Sequence, residues 1–197
     1  MIVFQDFEIY QLADDMTDDE FYEFCVANKD LRIEREPDKK IIIMAPVGPE
    51  SGFYEGKVFS KLDNWNEEVS PAGVTFSPST GYKLLNGATR AADASWISLE
   101  RWEKLTDDQK KKFLPIAPDF AVEIRSKTDK LKKLKSKMLE WIENGVRLAW
   151  LIDPVEQKTY IYRADGSIEI LDGFERMLSG EEVLKGFEFD LRLLRLP

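Results

Sequence analysis

The spacing of apolar residues along the chain predicts three helices. The first covers roughly residues 18–28, where Thr17 and Glu20 form a capping box at its start. The second fits residues 49–69, with apolar side chains on one side and charges on the other. The third is the best defined. In "KTDKLKKLKSKMLEWIENG" the apolar positions recur at helical spacing, and Gly145 follows as the expected stop.

Shorter apolar runs between the helices predict strands and hairpins. "LRIEREPDKKIIIMAP" fits two strands joined by a turn at residues 36–39, and "VTFSPSTGYKLLNGATRAADASWI" contains the hairpin signal Asn86-Gly87 before a short strand. "DFAVEIRS" and "VRLAWLIDP" predict strands on either side of the third helix, and a further hairpin turns at Asp165-Gly166. "SLERWEKLTDDQKKKF" predicts a short helical connection, and the C-terminal segment predicts a turn followed by an extended stretch.

The order of these elements predicts the fold class. A strand, the third helix and a second strand form a crossover unit, which implies a parallel pair inside a mixed sheet. The chain is therefore expected to be an α/β or α+β protein with a mixed β-sheet, a crossover helix and flanking helices. No repeat or linker interrupts the pattern, so residues 1–197 are predicted to form a single domain.

Composition narrows the chemistry that such a domain can perform. The 197 residues, 43% of them hydrophobic, suffice for a sizeable core. The chain has no histidine, which excludes Ser-His-Asp and Cys-His catalysis and histidine-ligated zinc. A single cysteine, the absence of a long apolar run and the lack of a signal-peptide pattern in residues 1–10 predict a cytoplasmic protein without membrane contact. Carboxylates with a hard cation such as Mg²⁺ remain available.

The distribution of charge gives one local exception to an acidic chain. A net charge of −9 argues against a protein that coats nucleic acid by bulk electrostatics. The stretch 127–137 nevertheless holds six lysines against one acid: Lys127, Lys130, Lys132, Lys133, Lys135 and Lys137. This basic stretch either contacts phosphates or is a solvated helix face, and the pattern leaves both readings open.

Candidate catalytic acids occur in and around the segment "APDFAVEIRSKTD". Asp119 and Glu123 lie four residues apart on one predicted strand, so their Cα atoms are roughly 13 Å apart. Because Mg²⁺ takes oxygen ligands at about 2.1 Å, these two carboxylates are too distant to share one ion. Asp93, at the start of a strand that could run beside "DFAVEIRS", is a better partner for Glu123.

Each of these residues also has an ordinary structural reading. Asp93 could be a turn or edge acid, and Glu123 a solvent-facing strand residue. Arg125 completes a Glu-x-Arg step, where it is expected on the same strand face as Glu123, and it could stabilise charge on a phosphate. Lys137 lies at the flank of the apolar stripe of the third helix, where its ammonium could bend toward the strand end. On pattern alone, Lys137 is another solvated lysine.

Three strings in this order and spacing resemble a known family. They are "STGYKLLNGATRAADASWISLERW", "KFLPIAPDFAVEIRSKTDKLKKLKSKMLEWIENGVRLAWLIDP" and "LSGEEVLKGFEFDL". Over about residues 40–190 the chain is similar to the Uma-type putative restriction endonucleases of the PD-(D/E)XK nuclease superfamily. The resemblance implies a restriction-endonuclease-like core in which a helix precedes a mixed sheet with a crossover helix.

The resemblance also implies roles for individual residues. It makes Asp93 the motif aspartate and Glu123 the second carboxylate, which together hold the metal. It places the family's lysine in the helix after the strand, at Lys137, and gives Glu55 a loose match to an acidic or amide position in the preceding helix. Arg125 departs from the superfamily pattern, because it stands where a lysine is usual.

These inferences lead to one main hypothesis and two alternatives. The main hypothesis is an endonuclease that hydrolyses DNA phosphodiester bonds with Mg²⁺ or Mn²⁺, in which cleavage of both strands would favour a homodimer. The first alternative is a catalytically inactive nuclease-fold protein that binds nucleic acid or a protein partner. The second is a structural or partner-binding domain whose acids are surface groups.

Overall fold

The computed structural model describes residues 8–9, 16–69 and 72–196. The prediction that residues 1–10 carry no signal peptide lies largely outside these ranges. The predicted single domain over residues 1–197 includes undescribed residues as well and stays a prediction. No helix within the described ranges is long and apolar enough to cross a membrane.

The described residues form short strands and five α-helices. The strands are β1 (Glu8–Ile9), β2 (Arg32–Arg35), β3 (Ile41–Met44), β4 (Gly73–Phe76), β5 (Tyr82–Lys83), β6 (Thr89–Arg90), β7 (Ala94–Ser98), β8 (Phe120–Ile124), β9 (Leu148–Asp153), β10 (Lys158–Arg163), β11 (Ile168–Asp172), β12 (Met177–Ser179) and β13 (Glu188–Asp190). The helices are α1 (Asp18–Ala27), α2 (Pro49–Glu68), α3 (Leu99–Glu103), α4 (Asp107–Lys110) and α5 (Leu131–Glu143), with a 3₁₀ helix at Leu191–Leu194.

A six-stranded mixed sheet in the order β11-β10-β9-β8-β7-β4 is the centre of the fold. The pair β8–β9 is parallel, and the other neighbours are antiparallel. The predicted crossover through α5 and the mixed sheet are therefore confirmed. A five-stranded sheet, β1-β3-β2-β6-β5, contains both of the hairpins predicted before residue 93, and β12–β13 form a third sheet.

The crossover helix ends where its sequence predicts. Asn144 is its C-cap, and Gly145 follows with a φ of 105°, a left-handed conformation that glycine adopts without steric cost. Leu148 then begins β9, which is completely buried and pairs with β8 in register from Phe120↔Leu148 onward. A nearly continuous apolar sequence is what a strand covered on both faces requires.

The central sheet is covered by different helices on its two faces. Val58, Leu62 and Trp65 of α2 pack in one core together with side chains from the C-terminal segment. Met138 and Trp141 of α5 pack in the other core. Because side chains alternate along a strand, β8 directs Phe120, Val122 and Ile124 to the α2 side. The intervening residues, including Glu123, face α5.

Two segments differ in detail from their predicted form. The charged connection after β7 contains two short helices, because Thr106 forms a capping box with Gln109 that starts α4 separately from α3. The C-terminal segment forms the β12–β13 hairpin and then a 3₁₀ helix, in which Leu191 and Leu194 are buried. Neither difference changes the position of the candidate acids.

The Pro-Asp step before β8 has a structural role. Asp119 is completely buried, and its Oδ2 accepts a hydrogen bond from the Ser98 amide at 2.8 Å. Its Oδ1 lies 3.1 Å from Arg101 Nη1 and 3.7 Å from Arg147 Nη1. Asp119 thus joins the end of β7, helix α3 and the start of β9, at the opposite end of β8 from Glu123.

Candidate active site

Glu123 lies on the face of β8 that α5 covers. Its side chain is 4% exposed, and its Oε1 accepts a hydrogen bond from Trp141 Nε1 at 2.9 Å. Burial raises the pKa of the Glu123 carboxyl to about 7; Lys137 opposes this rise, and Asp93 and Glu34 add to it. Glu123 is therefore a buried acid that a cation would stabilise in its ionised form.

Asp93 lies beside Glu123, at the start of the neighbouring strand. Its amide donates to the Val122 carbonyl at 2.9 Å, and the β7–β8 register places Asp93 next to Glu123 on the same face. Its Oδ2 accepts the Ile124 amide at 2.7 Å, and its Oδ1 accepts from Arg32 Nη2 at 3.1 Å. The predicted adjacency of these two strands is confirmed. The metal-binding role of the two acids remains a prediction.

Lys137 extends from α5 into this cluster of acids. Its Nζ lies 2.9 Å from Glu123 Oε1, 2.9 Å from Glu34 Oε1 and 2.9 Å from the Ala91 carbonyl oxygen. Burial alone would lower the pKa of Lys137, but the charges of Glu123 and Glu34 outweigh it and hold the pKa above its ordinary value. Lys137 is therefore an ammonium, and the reading of this residue as a solvated lysine is wrong.

Glu55 approaches the cluster from helix α2. It is half buried, and among the described residues its carboxyl has no hydrogen-bond or ion-pair partner. Burial raises its pKa to about 7, the charge of Asp93 adds to the rise, and Arg32 opposes it. The structure thus brings Glu55 close enough to Asp93 for their charges to interact, with its carboxyl available to a ligand.

Arg125 lies just outside this cluster. Strand β8 ends at Ile124, and the Arg125 side chain turns to Asp153, with Nη1 2.8 Å from Asp153 Oδ2. Its Nε also donates to the Asp129 carbonyl at 3.2 Å. Arg125, Asp93 and Glu123 all lie in the described ranges, and Arg125 contacts neither acid. A role for Arg125 in stabilising phosphate charge stays a prediction.

The sequence pattern missed the contribution of β2 to the site. Arg32 and Glu34 alternate with apolar Ile33, so they share one face of the strand. Two charged residues on one face normally indicate a solvent-exposed hairpin. Here Glu34 is 4% exposed because Lys137 and the β6 segment cover it. The sequence showed only two opposite charges at alternate positions of β2. Such a pattern does not distinguish a buried strand face from an exposed one.

Comparison with known proteins identifies the family of the chain. The profile of the Uma2 family, described as "Putative restriction endonuclease", matches residues 18–193. The chain belongs to the Uma2 family. A crystal structure of "a putative nuclease belonging to DUF820" from Anabaena variabilis is similar to this Uma2 chain, with a TM-score of 0.69. The two are 19% identical, and the match covers 82% of this chain and 88% of the other. No curated protein compared with the chain matches it significantly.

The family and the shared fold confirm the restriction-endonuclease-like core expected from the sequence. The position of the acids within that core follows from the strands that carry them. Asp93 and Glu123 come from adjacent antiparallel strands, while Lys137 comes from the crossover helix that covers them. The resemblance assigned these three residues to one site. The structure places Lys137 in contact with Glu123, and Asp93 beside Glu123 on the neighbouring strand.

The donor set of the Uma2 chain suits a hard divalent cation. Asp93 and Glu123 supply carboxylate oxygens, and Mg²⁺ typically binds to one or two carboxylates while keeping water and phosphate ligands. No group of three or more acids or cysteines within the described ranges has the arrangement of a preformed metal site. Two carboxylates with Glu55 nearby therefore fit a site that is completed by water and substrate.

Proposed function

We propose that this protein is a metal-dependent endonuclease that hydrolyses phosphodiester bonds in DNA. The observation that carries the proposal is the convergence of Asp93, Glu123 and Lys137 at the adjacent ends of β7 and β8, beneath α5. Membership of a family described as "Putative restriction endonuclease" supports the same activity. A purely structural role for these acids accounts poorly for two adjacent buried carboxylates beside a buried ammonium.

Each residue of the site has a role that follows from its position. Asp93 and Glu123 would hold Mg²⁺ or Mn²⁺, and the bound ion supplies charge that polarises the phosphate and lowers the pKa of a coordinated water. Glu55 can accept a hydrogen bond from such a water. Lys137, as an ammonium, can orient the attacking water or contact a phosphate oxygen. Arg32 is the guanidinium beside Asp93 and can stabilise negative charge on the phosphate.

The inactive nuclease-fold protein is the second candidate function. It is favoured because both acids already form ion pairs within the protein: Arg32 binds Asp93, and Lys137 contacts Glu123. Such ion pairs could stabilise the fold of a protein that binds nucleic acid or a protein partner without cleaving it. A measurement of divalent-cation binding therefore distinguishes the two functions. Only the enzyme requires Asp93 and Glu123 to bind a metal in addition to, or in place of, these ion pairs.

We expect the protein to nick supercoiled plasmid DNA in Mg²⁺ or Mn²⁺, and chelation by EDTA to abolish the nicking. Replacement of Asp93 with Asn removes a carboxylate charge and is expected to weaken Mn²⁺ binding at least about tenfold. Isothermal calorimetry measures the affinity, and agarose electrophoresis measures the nicking. A homodimer, which stays a prediction, would produce linear DNA in addition to nicked circles.

The matched control for this variant is Asp172→Asn, which alters an exposed acid of β11 that is paired with Lys158. Its metal affinity and nicking should equal those of the unaltered protein. Equal and negligible binding of Mn²⁺ by the unaltered protein and Asp93→Asn would contradict the metal site. Metal binding without nicking in any tested salt would favour the inactive protein.

The basic stretch at the start of α5 provides a surface for the DNA backbone. Lys130, Lys132 and Lys133 are exposed, and their side chains have no hydrogen bond or ion pair within the described part of the chain. Lys130 is the N-cap of α5, and Lys132 and Lys133 precede Lys137 in that helix. Lys127 is paired with Glu50, and Lys135 lies over the Tyr160 ring. The three unpaired lysines are therefore the ones available to phosphates.

Replacing these three lysines with Gln is expected to weaken DNA binding and to reduce its salt dependence. Each lost phosphate contact lowers the slope of log affinity against log salt by about 0.9 on duplex DNA. A triple Gln variant of Lys104, Lys111 and Lys185, each already paired with a neighbouring acid, makes the same change in net charge. Fluorescence anisotropy over a salt series measures both. Equal slopes for the two triple variants would contradict this surface.

A further inference from the structure

Lys137 is held between two buried carboxylates, and only one of them belongs to the proposed metal site. Glu123 lies beside Asp93 and would bind the cation. Glu34 lies on β2, in the other sheet, and also contacts Lys137. If Glu123 turns to a cation, the ammonium loses one of its three acceptors. The Glu34 carboxylate and the Ala91 carbonyl oxygen remain.

Glu34 is fixed by contacts that do not involve the metal site. Its Oε1 accepts the Ala91 amide at 3.1 Å, and its Oε2 lies 3.3 Å from Arg90 Nη1. Arg90 is itself held by two further acids, with Nε 2.6 Å from Glu140 Oε2 and Nη2 bound to Glu36. Glu34 and Arg90 are both at most 5% exposed. Because Glu34 belongs to the other sheet and its two oxygens face Ala91, Lys137 and Arg90, Glu34 anchors Lys137 from outside the proposed metal site.

We propose that Glu34, braced by Arg90, is a positioning residue that keeps the Lys137 ammonium in the site while Glu123 binds the divalent cation. This inference rests on the proposed function, because it assigns Glu34 a task during metal binding. Without Glu34, the ammonium would depend on Glu123 for its only carboxylate partner. The cation would then have to displace Lys137 from Glu123, and metal binding would weaken.

The test compares Mn²⁺ affinity in four variants by calorimetry. Glu34→Gln is expected to weaken Mn²⁺ binding about tenfold, the scale of one hydrogen bond to a charged group. Glu36→Gln also removes an acid from Arg90 but does not touch Lys137, so its affinity should stay within about twofold. In a Lys137→Met background the competing ammonium is absent, and adding Glu34→Gln should cause no further loss. Equal losses in Glu34→Gln and Glu36→Gln, or a full loss in the Lys137→Met background, would overturn the proposal.

A second readout needs neither metal nor catalytic activity. Trp141 Nε1–H donates to the same Glu123 oxygen that Lys137 contacts, so its indole proton reports on that carboxylate. The chain has five tryptophans, and comparison with Trp141→Phe assigns the indole signal of Trp141 in an NMR spectrum. Glu34→Gln is expected to shift this signal more than the other four, and Glu36→Gln to leave it in place. An unshifted Trp141 signal in Glu34→Gln would overturn the proposal.

The two readouts separate this inference from the proposed function. If the unaltered protein binds no divalent cation, the proposed function fails, and the Trp141 signal alone decides whether Glu34 positions Lys137. If Glu34→Gln does not fold, Glu34→Asp keeps the charge but withdraws it by one methylene. It is expected to shift the Trp141 signal and weaken Mn²⁺ binding in the same direction, and wild-type values for both would contradict the role of Glu34.

Discussion

Replacing Lys137 with Met is expected to lower the rate of DNA cleavage by about 10²–10³-fold, the usual loss when one preorganised donor to developing negative charge is removed. The Nζ atom lies 2.9 Å from Glu123 Oε1, so the ammonium is adjacent to the proposed metal ligand. Met has a similar length and carries no charge. Single-turnover cleavage at saturating Mn²⁺ measures the chemical step separately from DNA binding, which should remain nearly unchanged.

Lys158→Met is the matched control, because it removes a half-exposed lysine that is paired with Asp172 on the edge of the sheet. Its cleavage rate should equal that of the unaltered protein. Thermal unfolding of both variants shows whether either has lost its fold. A folded Lys137→Met protein with unaltered cleavage would remove Lys137 from the mechanism and leave the role of the ammonium to Arg125 or Arg32.

Much of the fold was predictable because local signals agreed with each other. The capping box at Thr17, the Asn86-Gly87 turn and Gly145 at the end of α5 each mark a boundary that the structure confirms. The parallel pair β8–β9 followed from a helix of sufficient length between two apolar strands. The division of the strands into two main sheets was not predictable, because alternation within a strand does not reveal which other strand it pairs with.

The candidate site was predictable only in part. Pattern alone identified Glu123 as an acid inside an apolar run, and sheet geometry favoured Asp93 over Asp119 as its partner. Lys137 came from the family resemblance, since its helical position does not distinguish a buried ammonium from a solvated one. Glu34 could not be recognised, because its burial depends on the packing of β2 against β6 and α5, which are separated from it by more than fifty residues.

Replacing Asp119 with Ala is expected to destabilise the fold by about 3 kcal/mol, the lower end of the cost of breaking a buried ion pair. The variant leaves the Ser98 amide without its acceptor and removes the charge opposite Arg101. The lower end applies because Arg101 and Arg147 are partly exposed, so water can solvate their charges once the carboxylate is removed. For a domain of this size, the melting temperature should fall by roughly 6–12 °C. Differential scanning calorimetry measures it.

The same variant distinguishes the two carboxylates that compete for the motif position. Asp119 and Asp93 both precede a strand of the central sheet, but the structure places only Asp93 beside Glu123. Asp119→Ala should therefore bind Mn²⁺ normally at temperatures where it is folded, while Asp93→Asn should fold and lose the metal. Asp172→Ala, an exposed pair partner, should change stability by at most about 0.5 kcal/mol. A stable Asp119→Ala protein that fails to bind Mn²⁺ would contradict the assignment of the metal site to Asp93 and Glu123 alone.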